Sequence, residues 1–195
     1  MAGGLRIIGG DLKGVALYSP PAGITRPLRS IVKKSMFDII GPDIVDASCL
    51  DLFAGSGSIG FEAISRGARS CVFVESDTAV FAVLQKNVDK ILRYVDNSEV
   101  RLRAVKADAG VFLSAAPVDG VPFDFIFLDP PFAAQAAAER CLELIAACPG
   151  WLAAQGLIFY QFRGKADIEQ NDWRVIDSRT FGDSVVARLM RNVDL

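Results

Sequence analysis

The feature that most constrains the fold of this chain is a regular alternation of short apolar runs with amphipathic segments. The apolar runs are nearly continuous, whereas the segments between them repeat apolar residues with helical spacing. Buried strands that alternate with helices are typical of a mostly parallel sheet covered by helices on both faces. We therefore predict an α/β fold with strands at 49–53, 71–75, 100–105, 123–129 and 156–162.

The segments between these strands carry recognisable helix boundaries. Asp77 stands where its carboxylate can cap a long helix, and Gly67 follows a helical pattern as glycine commonly does. Helices are predicted over 58–66, after Asp77, after Asp108 and over 134–147. The chain ends differently, because the runs 173–178 and 184–190 predict an antiparallel hairpin that completes a seven-stranded sheet.

The N-terminal residues also depart from the alternation. The runs 5–8 and 15–18 predict a small β-hairpin, and the spacing of apolar residues predicts an amphipathic helix over 30–40, with its lysines on the polar face. We therefore divide the chain into a hairpin-and-helix extension, residues 1–40, and a main domain, residues 41–195.

The extension is basic, whereas the remainder of the chain is acidic. The first 40 residues hold six basic and two acidic side chains, and the other 155 hold 15 basic and 21 acidic ones. A basic segment on an acidic body is typical of a protein that binds a polyanion, although a solvated polar surface would have the same composition. The six basic residues are Arg6, Lys13, Arg26, Arg29, Lys33 and Lys34.

The composition excludes several kinds of catalytic site. The chain contains no histidine, which excludes Ser–His and Cys–His pairs and histidine metal sites, and we expect no metal ion. Its four cysteines form no C-x-x-C pair and are interpreted as buried thiols in a reducing cytoplasm. The sequence shows neither a secretory signal nor an apolar run of about 18 residues, so we expect a cytoplasmic protein outside the membrane.

A glycine-rich segment, DLFAGSGSIG (51–60), lies where the first predicted parallel strand meets its helix. Its glycines 55, 57 and 60 fit the pattern G-x-G-x-x-G, which lets backbone N–H groups approach a ligand. Glu75 ends the next strand, where a carboxylate can accept hydrogen bonds from both hydroxyls of a ribose. These features predict a nucleotide-like cofactor but leave a nicotinamide-dependent oxidoreductase open.

The segment DPPF (129–132) discriminates between these cofactors. It follows the fourth strand, at the sheet edge where open α/β sheets bind ligands. Pro130 and Pro131 stiffen the turn, so that the carboxylate of Asp129 and the carbonyl of Pro130 can together accept hydrogen bonds from an exocyclic amino group. Phe132 offers a ring on which an extruded base can stack. The turn therefore indicates chemistry at an amino nitrogen whose lone pair is directed toward an electrophile, for which a nicotinamide-dependent enzyme has no use.

These motifs resemble those of the class I S-adenosylmethionine-dependent methyltransferases. More narrowly, the chain resembles the bacterial small-subunit rRNA guanine-N2 methyltransferases of the RsmD type. The resemblance covers nearly the whole chain and is carried by DLFAGSG (51–57), EAISRG (62–67), VESD (74–77), DPPF (129–132), RIIGGDLKG (6–14), Arg26–Pro27 and Phe181–Gly182.

The resemblance implies a Rossmann-like methyltransferase fold and S-adenosyl-L-methionine as cofactor. It implies transfer of a methyl group to N2 of a flipped guanine in 16S rRNA. The cofactor would lie against Asp51, Phe53, Ala54, Gly55, Ser56, Gly57 and Gly60, with Glu75 at the ribose and Asp108 at the adenine amino group. The target guanine would lie against Asp129, Pro130, Pro131 and Phe132, and RNA phosphates would lie against Arg6, Lys13, Arg26, Arg29, Lys33 and Lys34.

One segment departs from the family pattern. Where the family continues Arg-Pro with TTDRVRE, this chain has LRSIVKK at 28–34. We expect a monomer, and the resemblance implies that it acts on 16S rRNA within a partly assembled small subunit. Three alternatives remain open on the residues alone: a methyltransferase acting on DNA adenine N6 or a protein glutamine, a non-catalytic RNA-binding module, and a nicotinamide-dependent enzyme.

Overall fold

A computed structural model describes residues 5–20, 27–95, 99–115, 117, 122–164 and 172–192, with the side chains of 27–29 excepted. Its centre is a seven-stranded sheet. The strands are β1 (Ser48–Asp51), β2 (Ser70–Glu75), β3 (Arg101–Lys106), β4 (Phe123–Leu128), β5 (Leu152–Arg163), β6 (Trp173–Phe181) and β7 (Ser184–Arg191). All seven predicted strands are present, and β5 begins four residues before its predicted start at 156.

The strand order is β3-β2-β1-β4-β5-β7-β6. The pairs from β3 to β5 are parallel, whereas β7 runs antiparallel to both β5 and β6. This confirms the prediction of a mostly parallel sheet that ends in an antiparallel hairpin. Because the chain leaves β1 toward β2 and returns to β4 on the other side, the carboxyl ends of β1 and β4 flank a crevice suited to a ligand.

The described residues form five α-helices, which cover the two faces of the sheet. They are α1 (Pro27–Ile40), α2 (Ser58–Ser65), α3 (Thr78–Ile91), α4 (Ala109–Leu113) and α5 (Gln135–Ala147). Two apolar clusters hold them to the sheet: one contains Phe37, Phe61 and Phe127, and the other contains Leu142 and Trp151. The core therefore lies on both faces, as nearly continuous apolar strands require.

The N-terminal arm, which we define as residues 5–20, forms a shorter hairpin than predicted. A single antiparallel bridge joins Arg6 to Ala16, and backbone hydrogen bonds flank it on both sides. The arm packs on the end of α2, so closely that a Cβ on Gly10 would lie 1.7 Å from the carbonyl oxygen of Ser65. A glycine is therefore required at position 10, where the φ of +71° also favours it.

The arm and α1 contribute to the main apolar cluster. Ile7, Met36 and Phe37 are buried in the same cluster as residues of β1, α2 and β4. The division at residue 40 stays a prediction, but a separated extension would expose these side chains to water. Helix α1 begins at Pro27, three residues before its predicted start, and a 3-10 turn over Gly41–Ile44 follows it.

Three further properties bear on the sequence predictions. The four cysteines are free; Cys49, Cys71 and Cys141 are buried as predicted, whereas the prediction is wrong for Cys148, which is partly exposed at the end of α5. Among the described residues, no group of three or more potential ligands could hold a metal ion. No helix in this part of the chain has both the length and the apolar character that crossing a membrane requires.

Candidate active site

The glycine-rich segment and the DPPF turn begin side by side at the carboxyl edge of the sheet. Asp51 is the register partner of Phe127, and the N–H of Leu52 donates to the carbonyl of Phe127 over 3.0 Å. Asp129 lies two residues beyond Phe127. The sheet therefore places both motifs at one edge, as the sequence predicts.

The glycine loop, which we define as residues 52–57, offers open space where a ligand can approach. Gly55 has a φ of +57°, and a Cβ built on it would meet nothing within 4 Å. Gly57 has a φ of +85°, but its Cβ would lie 2.3 Å from the ring of Phe61. The first glycine thus opens the crevice, and the second allows the turn to pack on α2. Gly60 lies within α2, and a Cβ built on it would lie 2.3 Å from the ring of Phe73. The absence of a side chain at this position therefore allows α2 to pack closely on β2.

Glu75 is held by two backbone donors at the end of β2. Its Oε2 accepts from the N–H of Gly55 over 2.9 Å, and its Oε1 accepts from the N–H of Asp77 over 2.8 Å. A carboxylate has about four acceptor positions, so capacity for further donors remains. The side chain is partly exposed and is fixed next to the open space at Gly55. This geometry suits a carboxylate that binds vicinal hydroxyls.

Asp51 is the most perturbed carboxylate of the site. It is buried, its Oδ2 accepts from the N–H of Gly60 over 3.1 Å, and its Oδ1 has no hydrogen-bond partner within the described chain. Burial raises the pKa of Asp51 to about 7, against the hydrogen bond from Gly60 and with smaller contributions from the negative charges of Asp129 and Glu75. The three carboxylates therefore interact, and an ammonium group beside Asp51 would stabilise its ionised form.

Asp108 caps α4 at the carboxyl end of β3. Its Oδ1 accepts from the N–H of Val111 over 3.1 Å, and the side chain is exposed. The neighbouring backbone of Ala107 donates to the carbonyl of Glu75 over 3.2 Å. Asp108 thus lies at the same sheet edge as Glu75, one strand farther from the DPPF turn.

The DPPF turn leaves β4 as a stiff extended segment. Pro130 is buried and Asp129 is partly buried, whereas Phe132 is 44% exposed at the start of a 3-10 turn that leads into α5. The guanidinium of Arg163, the last residue of β5, lies 5.2 Å from the centre of the Phe132 ring. The turn therefore presents a carboxylate and an accessible aromatic ring next to the glycine loop.

The predicted RNA-contacting residues separate into different environments. Arg6 and Lys13 are exposed on the arm, and Lys34 is exposed on α1, where it pairs with Asp38 over 2.6 Å. Arg26 and the side chain of Arg29 lie outside the described residues.

Lys33 contradicts the expectation that it lies on the polar face of α1. Its side chain is 6% exposed, and its Nζ lies 3.1 Å from Oε2 of Glu62, which is fully buried. Arg66 contacts the other oxygen of Glu62 over 2.9 Å. Burial lowers the pKa of Lys33, although Glu62 opposes this shift. The arm covers Lys33, so Lys33 is not part of the basic surface.

Sequence reasoning missed two residues beside the site. Asn87 of α3 is buried and donates from Nδ2 to the carbonyl of Ser56 in the glycine loop over 2.9 Å. Helical spacing places residue 87 next to the apolar Val88 and Ile91, so an amide at that position could have been noticed. Arg163 lies over Phe132, and the sequence carries no signal for this contact because Arg163 ends β5 and Phe132 lies in the turn after β4, 31 positions earlier.

The fold and the site together define a class I methyltransferase. The fold is a doubly wound sheet with an antiparallel C-terminal hairpin, and the site combines the acidic end of β2 with the DPPF turn beside the glycine loop. The sequence profile of a family described as "Conserved hypothetical protein 95" matches residues 5–190. The chain belongs to this family, which includes the ribosomal RNA small subunit methyltransferases D.

Individual relatives support this assignment. The ribosomal RNA small subunit methyltransferase D of Escherichia coli K12 is 37% identical over 160 residues, which cover 82% of this chain and 75% of that protein. The Haemophilus influenzae protein of the same name is 35% identical over 192 residues, covering 97% of this chain and 95% of that protein.

Solved structures agree with this fold. The protein yhhF from Escherichia coli is 33% identical, covers 98% of this chain and 100% of its own, and has a TM-score of 0.82. The Thermus thermophilus 16S rRNA N2 G1207 methyltransferase RsmC, solved with AdoMet and guanosine, shares the fold with a TM-score of 0.65 at 21% identity. That likeness covers 88% of this chain and 45% of RsmC.

Proposed function

We propose that this chain transfers the methyl group of S-adenosyl-L-methionine to the exocyclic N2 of a guanine in 16S rRNA. The observation that carries the proposal is the juxtaposition of the DPPF turn with the glycine loop, where the charge of Asp129 acts on the buried carboxyl of Asp51. The family's rRNA methyltransferases give the substrate class.

The residues of the crevice fit the cofactor. Glu75 would accept from the ribose hydroxyls, because its two oxygens are already fixed by backbone donors and keep acceptor capacity. Oδ1 of Asp51 would accept from the ammonium of the methionine half. The open space at Gly55 would leave room for the cofactor chain, with Phe53, Ala54, Ser56 and Gly57 around it. When bound, the cofactor supplies an electrophilic methyl group on a sulfonium.

Asp108 would complete the cofactor site at the adenine. It lies one strand beyond Glu75, which is the direction in which an extended nucleoside continues along the sheet edge. One of its oxygens caps α4, and the carboxylate is exposed. The second oxygen would accept from the adenine amino group.

The DPPF turn would hold the target guanine. The carboxylate of Asp129 and the carbonyl of Pro130 would each accept a hydrogen bond from the guanine amino group, which directs its lone pair toward the methyl carbon. Pro131 keeps the turn extended, and Phe132 would stack on the extruded base. The N–C bond forms as the S–C bond breaks, and the proton then leaves nitrogen toward Asp129 or water. Alignment and exclusion of water are the contribution of these residues.

The exposed basic residues of the arm and α1 would bind phosphates near the target. Arg6, Lys13 and Lys34 are exposed in the structure, and Arg26 and Arg29 extend the same basic sequence. The protein would act as a monomer in the cytoplasm on 16S rRNA within a partly assembled small subunit. A folded subunit would present the guanine to a small enzyme whose body carries a net negative charge.

The test is methylation in vitro followed by mass spectrometry of the nucleosides. Purified protein and S-adenosyl-L-methionine are incubated with small subunits from a strain that lacks its small-subunit methyltransferase D, with naked 16S rRNA and with duplex DNA. We expect N2-methylguanosine in the subunits and little modification of the other two substrates. N6-methyladenine in DNA would instead support the DNA alternative, and no product with any substrate would support a non-catalytic module.

A further inference from the structure

Asn87 joins the N-terminal arm to the glycine loop through a single buried amide. Its Oδ1 accepts from the N–H of Tyr18 over 2.8 Å, and its Nδ2 donates to the carbonyls of Tyr18, over 3.0 Å, and Ser56, over 2.9 Å. Because Tyr18 supplies both a donor and an acceptor, the amide can satisfy all three groups in one orientation only. The Asn87 side chain is fully buried, so its amide has no water as an alternative partner.

Lys33 makes a second connection, between the arm and the residue that directly follows the glycine loop. Its Nζ donates to the carbonyl of Arg6 in the arm over 3.2 Å, and to the carbonyl and Oγ of Ser58 over 3.3 Å and 3.0 Å. Ser58 is the first residue of α2 and directly follows Gly57. Asn87 and Lys33 therefore bind the residues on the two sides of Gly57, and each also binds one strand of the arm.

The glycine loop needs such support because its own sequence provides little. Gly55 and Gly57 have positive φ values and no side chain to pack. Glycine loses more conformational freedom on ordering than any other residue, and a loop that is disordered before binding must pay this entropy when the ligand arrives. External hydrogen bonds to Ser56 and Ser58 fix the loop in advance, which improves affinity for whatever binds there.

The arm is itself anchored to α3 at this point. Lys90 donates from Nζ to the carbonyl of Ala16 over 2.6 Å, and the same ammonium lies 5.1 Å from the centre of the Tyr18 ring. The end of the arm is therefore held on α3 by both Asn87 and Lys90. Helix α3, which packs on the sheet, is therefore hydrogen-bonded to both the arm and the glycine loop.

We propose that the N-terminal arm is part of the cofactor site, and that Asn87 and Lys33 are positioning residues that transmit the arm's position to the backbone of the glycine loop. The inference rests on the proposed function, since it assigns to the arm a second role beside contact with RNA. It predicts that changes that break the hydrogen bonds between the arm and Asn87 or Lys33 weaken cofactor binding in the absence of RNA.

The experiment measures binding of S-adenosylhomocysteine by calorimetry to the full chain and its variants without RNA. Asn87→Ala is expected to raise Kd about tenfold. Val88→Ala, a buried change on the same helix without a polar contact, is the control for general destabilisation and should stay within about twofold. In turnover with small subunits, Asn87→Ala should raise KM for S-adenosyl-L-methionine and leave kcat within about threefold of the unchanged protein, a split that loss of folded protein would not produce.

A second pair of variants changes a residue of the arm and leaves the sequences of α3 and the glycine loop unchanged. Tyr18→Pro removes the N–H that donates to Asn87, whereas Tyr18→Ala removes the same ring and keeps the N–H. We expect Tyr18→Pro to raise Kd as Asn87→Ala does and Tyr18→Ala to leave it unchanged. Folded Asn87→Ala and Tyr18→Pro proteins with unchanged Kd would overturn the inference alone. An unchanged protein that binds no S-adenosylhomocysteine would overturn the proposed function and this inference together.

Discussion

The guanidinium of Arg163 lies over the aromatic ring of Phe132, with 5.2 Å between Cζ and the ring centre. The same guanidinium is paired with Asp183 over 2.6 Å, so it is anchored to the turn between β6 and β7. Phe132 nevertheless remains 44% exposed. An arginine held on a partly accessible ring gives a base a platform on the ring and a positive charge for the adjoining phosphate.

Replacement of Phe132 by alanine should reduce methylation strongly while the fold stays intact. Stacking of a base on an aromatic side chain contributes about 1–3 kcal/mol, which corresponds to roughly 5- to 160-fold in kcat/KM. Phe132→Tyr keeps the ring and is the matched control. Rates measured with unmethylated small subunits should fall for Phe132→Ala only, and equal losses for both variants would remove stacking as the role of this residue.

Asp129→Ala should slow methyl transfer severely and leave cofactor binding intact. Loss of an acceptor that orients the reacting nitrogen is expected to lower kcat by about 100- to 1,000-fold. The affinity for S-adenosylhomocysteine should change little, because Asp129 belongs to the turn and not to the glycine loop. Single-turnover rates and calorimetry measure the two quantities. Asp89→Ala, an exposed change on α3, is the control, and near-normal turnover of Asp129→Ala would refute the assignment.

The raised pKa of Asp51 predicts opposite effects on stability and binding. In the folded protein the pKa of Asp51 is about 7, so its carboxyl keeps a proton up to about that pH. In an unfolded chain the carboxyl has its ordinary pKa of 3.8. The free energy of unfolding should therefore fall as pH rises through this window, by at most about 4 kcal/mol. Asp51→Asn keeps an acceptor for Gly60 and removes the titration, so it should be more stable than the unchanged protein at about pH 8.

Denaturation by urea at about pH 5 and pH 8 measures this difference. Asp51→Asn should show nearly the same stability at both pH values, apart from changes that it shares with an Asp89→Asn control. The same variant should bind S-adenosylhomocysteine about 10- to 100-fold more weakly, because a charged hydrogen bond to the ammonium is lost. An Asp51→Asn protein that is less stable than the unchanged protein at about pH 8 would contradict a raised pKa for Asp51.

The sequence was sufficient for the parts of the site that depend on strand order. Runs of apolar residues identify buried strands, and the carboxyl ends of neighbouring parallel strands must meet at one edge. Asp77 could likewise be predicted as a cap, and it accepts from the N–H groups of Ala79 and Val80, each over 2.8 Å. These features follow from local spacing and from the rules of parallel sheets, and no knowledge of side-chain contacts is needed.

Contacts between distant segments could not be predicted in this way. Helical spacing assigns Lys33 to a polar face, but its partner Glu62 lies 29 positions later and inside the apolar cluster of α2. Asn87 is a polar residue at a position facing the core, and its partners Tyr18 and Ser56 lie on two other segments. A periodic pattern shows which face of a helix is buried, and it does not show which polar groups meet there.

Lys33→Met should destabilise the fold, whereas Lys33→Arg should be tolerated. Loss of one partner of a buried ion pair leaves a carboxylate without compensation and costs about 3–5 kcal/mol. The loss should lie near the lower end because Arg66 and the N–H of Ile8 still contact Glu62, both over 2.9 Å. Arginine occupies the position of Lys33 in the family pattern TTDRVRE. Urea denaturation measures both variants, and equal stability of Lys33→Met would show that the pair is dispensable.

The exposed lysines of the extension should control binding to RNA through charge alone. Deletion of the extension cannot test this, because it would also expose Ile7, Met36 and Phe37 and leave Glu62 without Lys33. Lys13→Glu changes only an exposed side chain of the arm. We expect weaker binding to unmethylated small subunits and a slope of log K against log salt reduced by about one for each phosphate that the variant no longer binds.

Lys86→Glu is the matched control, since Lys86 is exposed on α3, outside the extension. It makes the same change in net charge, so a general repulsion between the protein and RNA would weaken binding equally in both variants. A local interaction with a phosphate would weaken binding in Lys13→Glu only and would leave the affinity for S-adenosylhomocysteine unchanged. Equal effects of the two substitutions would mean that RNA responds to the total charge of the protein, and the arm would then lose its role as the RNA-binding surface.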